Sequence, residues 1–180
     1  MNYQSYLNEI STGVKGLSHH QKLELAWQLC TRLDPLYEAF QLKEKWGDSN
    51  LLIKVREAVK KKLTGESTQH LPKEDEIMAV TPDTDEFGST LGSHALDTAI
   101  SHIFLSRLLV NDDQHALESI LSLCFDVVDR FEQECDDTTD GKFTNAEIAW
   151  QLALLSKRAE SPDCIIETRD ILHAALQEYR

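Results

Sequence analysis

Apolar side chains recur every three or four residues through nearly all of this chain, and no segment shows a convincing strand-type alternation. That period places them on one face of a helix, and each such face has to be buried against another helix. With 180 residues, the chain is long enough to bury a sizeable core without disulfides or metal. The expectation is an all-α fold. It would be a single-domain bundle of about eight helices over residues 1–180, with short connections that set neighbours antiparallel. Two layers, 1–80 and 81–180, would meet at the break Thr81-Pro82-Asp83-Thr84-Asp85.

Residues 2–13 carry Tyr6, Leu7 and Ile10, with Val14 continuing the spacing. Ser18 and Gln21 form a capping-box pattern that opens a helix with Leu23, Ala26, Trp27, Cys30 and Leu33 on one face. Asp34-Pro35 then reads as a corner, with Asp as cap and Pro at the first position of a new helix running to Trp46-Gly47. Asp48 caps the next segment, whose stripe of Leu51, Leu52, Val55, Val59 and Leu63 ends at Gly65. A short helix over 73–80 follows an exposed loop, and then come four longer segments at 89–109, 113–135, 145–160 and 162–179. The third of these starts behind Thr144-Asn145-Ala146-Glu147, a second capping-box pattern.

The net charge of −13 is unevenly placed: residues 1–70 sum to +2 and residues 71–180 to −15. Such a surface repels phosphate backbones and anionic membranes, so neither nucleic acid nor a membrane is an expected partner. Lys60-Lys61-Lys62 reads as cations on a helix's last turn, where its dipole favours them. The four cysteines have neither CxxC nor metal-ligand spacing, and Cys30 and Cys124 read as small buried hydrophobes. No signal-peptide pattern and no run of ~20 apolar residues is visible, so the expectation is a reducing, cytoplasmic setting.

Three constellations could carry chemistry. Residues 136–147 follow the twelve-residue calcium loop: Asp136 first, Asp140 fifth, Gly141 at the sharp turn and Glu147 as the bidentate twelfth ligand. Thr138 departs from that pattern at the third position, and a turn followed by a helix cap covers the same residues. His94 and Asp97 share a face of a mostly apolar helix, either as a polar packing network or as part of a cleft with Arg32 and Tyr37. Asp112 with His115 and Asp170 with His173 have a spacing that places two ligands on one helix face, but no more often than chance would. The sequence contains no GxSxG, HExxH, GxxxxGK[ST] or GxGxxG.

The blocks Leu17-Ser18-xx-Gln21-Lys22-Leu23 and Leu29-Cys30-Thr31-Arg32-Leu33-xx-Leu36-Tyr37-xx-Phe40 are followed by Gly47-Asp48. Together with Thr81–Phe87 and Ala95-Leu96-Asp97-Thr98-Ala99, they resemble the YjaG-like family of bacterial domains of unknown function. The resemblance covers most of residues 17–130. Thr31 stands where an acidic residue is usual, Asp34 precedes the proline unusually, and the calcium-like loop lies outside the shared blocks. The resemblance implies an all-helical cytoplasmic protein and brings no catalytic residues.

The expected function is a non-enzymatic protein-interaction module whose acidic C-terminal half meets a basic protein, with a homodimer as a further partner state. It needs no cofactor. The alternatives are calcium binding at Asp136, Asp140 and Glu147, and an enzyme with a polar cleft near His94 and Asp97.

Overall fold

The computed structural model describes residues 3–67, 70–134 and 141–156. These form seven α-helices: α1 (Tyr3–Lys15), α2 (His19–Glu44), α3 (Ser49–Leu63), α4 (Glu74–Met78), α5 (Thr90–Asn111), α6 (Gln114–Glu134) and α7 (Lys142–Leu155). The fold is all-α, as the periodicity requires. The segment expected at 162–179, with Asp170 and His173, lies outside the described residues. Among the described residues no helix is long and apolar enough to cross a membrane.

The core is built around α5. Leu91, Ala95, Ala99, Leu105 and Leu108 are fully or almost fully buried, and so are His94, Thr98, Ser101 and His102 between them. A helix buried on most of its circumference needs neighbours all round, and α2, α3, α4 and α6 supply them. Its main partner is α2, which runs antiparallel to it: Lys22 approaches Asp112, Cys30 reaches the Ser101 carbonyl and Leu33 meets Thr98. This interface joins the first eighty residues to the rest. α6 closes the other side with Leu117, Ile120, Leu121, Cys124 and Val127, and α1 and α7 pack against α6 and each other.

Several local rules hold as read. Ser18 and Gln21 make the capping box that opens α2, Asp48 accepts from the Asn50 amide at the start of α3, and Lys60, Lys61 and Lys62 occupy the last turn of α3. Cys30 and Cys124 are free and buried.

Two readings are corrected. Asp34-Pro35 is not a corner: α2, 26 residues long, runs through it, with Pro35 inside the helix and Asp34 buried. A proline removes one backbone bond and crowds the turn before it, which normally favours a break. Here the turn is held from outside, because Arg56 on α3 and His102 on α5 both meet the Asp34 carboxylate. Nor does Thr144 with Glu147 form a capping box. α7 starts earlier, after Gly141, and its free amides are capped from α6: Glu132 accepts from the Phe143 and Thr144 amides at 3.0 and 2.9 Å and from the Thr144 hydroxyl at 2.7 Å.

At the far end of the bundle Tyr37, Phe40, Trp46 and Phe87 stack edge to face or tilted, with centroids 5.1 to 6.1 Å apart. Gly47, with φ +90°, passes so close to this cluster that a Cβ would strike the Tyr37 hydroxyl. Gly92 is required in the same way, since a Cβ there would strike the Phe87 carbonyl.

Candidate functional site

Three buried polar clusters lie along the central helices. The first joins α2 to α7. Arg32 donates to Glu147 through Nη1 at 2.9 Å and Nη2 at 2.6 Å, a bidentate pair in which the Arg32 side chain is 5% exposed and Glu147 is fully buried. The guanidinium also lies 4.2 Å from the centre of the Trp150 ring. Burial by itself would lower the Arg32 pKa, and the facing Glu147 carboxylate together with the neighbouring Cys124 more than reverses that, holding the charge in place. Gln151, one turn beyond Glu147, donates to it at 2.7 Å and to the Leu121 carbonyl at 3.0 Å, and its own carbonyl accepts from the Tyr6 hydroxyl at 2.7 Å. Burial beside Glu147 pushes the Tyr6 pKa up, so it remains a donor. Arg32 Nε and Trp150 Nε1 are buried without a hydrogen-bond partner among the described residues.

The second cluster joins α5 to α6. Arg130 Nη1 donates to Asp97 at 2.8 Å and to His94 Nδ1 at 3.1 Å. Nδ1 can accept only if it carries no proton, so the geometry assigns His94 as the neutral Nε2–H tautomer. Burial, aided by the Arg130 charge, lowers the His94 pKa to about 4, against a small opposing effect of Glu134. The ring stacks on Phe131 at 4.3 Å, and Nε2 has no partner among the described residues. Asp97 is raised, because burial outweighs its bond to Arg130.

The third cluster joins α2, α3 and α5. Asp34 meets Arg56 at 2.5 Å and His102 Nε2 at 3.1 Å, and His102 Nδ1 is held 2.8 Å from the Thr98 carbonyl. Neither approach to Asp34 has hydrogen-bond geometry. Arg56 also donates to the Thr31 hydroxyl at 3.2 Å.

The residues expected to share a cleft are thus distributed over separate partner sets. His94 and Asp97 come together through Arg130. Arg32 turns to Glu147 on α7. Tyr37 donates to the Val80 carbonyl and accepts from the Asp48 amide at 3.3 Å; its pKa is pushed up to about 12, by burial first. Two shallow surface depressions, one between Glu38 and Ser49 and one between Asn8 and Ser156, are lined by none of the four. Of the calcium-loop residues, Asp136 and Asp140 lie outside the described residues, and both Glu147 oxygens face the Arg32 guanidinium. No group of three or more carboxylates, histidines or cysteines placed to hold a metal occurs among the described residues. Asp112 pairs with His19 at 2.8 Å, while His115 faces Glu118.

The sequence pattern does not single out Arg56, Arg130 or Glu132, and Gln151 only faintly. Each finds its partner on another helix, at separations of up to 145 residues that no local pattern encodes. Gln151 alone has a visible signal, a polar residue one turn after Glu147 in a mostly apolar helix.

No protein-family model matches the chain, and no curated protein matches it. The architecture is that of a known all-helical class. The chain is similar to a solved structure of a DUF416 family protein from Shewanella baltica OS155, with a TM-score of 0.68 and 20% sequence identity over 93% of each chain. At that identity the likeness shows a shared fold, and a domain of unknown function brings no activity with it.

Proposed function

We propose that this protein is a non-enzymatic helical module of the YjaG-like kind and that it binds a basic protein through the acidic surface of its C-terminal half. One observation carries the reading. Glu74, Asp75, Glu76, Asp83, Asp85 and Glu86 are all exposed along the stretch between α3 and α5. Arg107 pairs with Glu74, and among the described residues none of the other five has an ion-pair partner. The buried carboxylates Asp34, Asp97 and Glu147, by contrast, each face an arginine. Unpaired surface charge of one sign speeds association with a partner of the opposite sign and makes it sensitive to salt.

The test is capture of partners from cell extract at low and at high salt, beside the triple charge reversal Asp83→Lys, Asp85→Lys, Glu86→Lys. The reading expects a basic protein retained at low salt only, and lost with the reversal. Identical capture under all conditions, or none, overturns it.

A further inference from the structure

We propose that Asp34–Pro35 is a hinge within α2 and that the Arg56–Asp34–His102 cluster is the latch that holds it straight. Pro35 has no amide hydrogen, so the turn from Thr31 to Pro35 lacks its backbone bond, and the residue before a proline resists helical angles. The latch grips this weak turn at both ends. Arg56 reaches the Thr31 hydroxyl at 3.2 Å and the Asp34 carboxylate at 2.5 Å, and His102, tied to Thr98, meets the other Asp34 oxygen at 3.1 Å.

The two halves of α2 keep different company. Before the proline, His19 and Lys22 face Asp112, Cys30 bonds to Ser101, and Arg32 binds Glu147. After it, Tyr37 holds the Val80 carbonyl and the Asp48 amide, Gln41 accepts from the Ser49 amide at 2.9 Å, and Phe40 packs on Trp46 and Phe87. The second half is therefore fastened to the start of α3 and to the stretch around Val80 and Phe87. When the latch opens, these parts move as one unit against the α5–α6–α7 core, in the manner of a hinge whose few residues absorb the change. The stretch that moves includes the exposed Asp83, Asp85 and Glu86. The hinge stands whether or not a partner binds there.

Hydrogen–deuterium exchange of the full chain tests this. In Arg56→Met, amides of residues 36–44 and of the first turns of α3 are expected to exchange roughly tenfold faster than in the wild type, with residues 20–33 and α6 changed less than about twofold. Pro35→Ala, which restores the missing donor, is expected to slow exchange in 36–44 and to bring the two halves of α2 closer together in rate. If Arg56→Met does not fold, His102→Gln is read in its place. Uniform acceleration of α2 and α6, no acceleration in 36–44, or an undiminished difference between the halves in Pro35→Ala would each overturn the hinge.

Discussion

Arg32 and Glu147, 115 positions apart, form a bidentate ion pair in the interior, at 2.9 and 2.6 Å. A buried pair of this kind is poor evidence of net stability, because both charges leave water to form it, yet losing one partner is severe. Glu147→Gln should therefore lower unfolding free energy by about 3–5 kcal/mol, by stranding the guanidinium. The double variant Arg32→Met, Glu147→Leu should recover most of that loss. Urea denaturation of the three proteins checks it, and a double variant no better than the single would contradict the account.

The same pair bears on calcium. A carboxylate with both oxygens on a guanidinium has little to offer a cation, so titration with millimolar calcium should release no heat and leave the melting temperature unchanged. Binding that disappears in Glu147→Gln would show that the pair opens for the ion.

His94 should make the protein acid-sensitive. Its pKa falls from the ordinary histidine value of 6.5 when unfolded to about 4 when folded, so between these values the unfolded chain binds the extra proton. The stability this neutral histidine contributes is complete above the higher value and is lost as pH falls toward the lower one, in total about 3 kcal/mol. Asp97, whose pKa is raised, works in the opposite sense at the acid end, since its folded form binds the proton more readily. Comparing the pH dependence of unfolding in wild type and His94→Gln isolates the histidine. Equal slopes between pH 4 and 6.5 would refute it.

Glu132 should act as the cap of α7. Burial raises its pKa, but the donors of Thr144, Phe143 and Lys142 outweigh burial and leave it lowered overall. Glu132→Ala should lose about 1–2 kcal/mol, with faster amide exchange confined to the first turn of α7. Loss without any change at that turn would assign Glu132 another role.

Gly47→Ala should cost about 2 kcal/mol, combining the left-handed φ of +90° with the collision against Tyr37. Adding Tyr37→Phe should return part of it, because the hydroxyl is the atom struck. Thermal melts of the single and double variants measure both parts.

How much was legible depended on whether a residue's partner was near in sequence. Ser18 with Gln21 and Asp48 with Asn50 were readable, because each cap bonds two or three residues away. Asp34-Pro35 was misread for the same reason. The local rule makes it a helix start, and the side chains that overrule it come from positions 56 and 102. The second capping box failed likewise, because Glu132, eleven and twelve residues away from the amides it caps, reaches them first. His94 and Asp97 could be picked out as polar residues on an apolar helix, but Arg130, which joins them, could not.

By itself, the chain determined that it is helical, where most helices lie, which faces are apolar and where the negative charge accumulates. These follow from period, propensity and composition, which are local or additive quantities. Only the tertiary structure decided that α2 runs unbroken, which arginine neutralises which carboxylate, and that Glu147 faces inward. Ionic partners are chosen by proximity after packing, and in a medium that penalises unpaired charge a distant guanidinium can outweigh the nearest local rule.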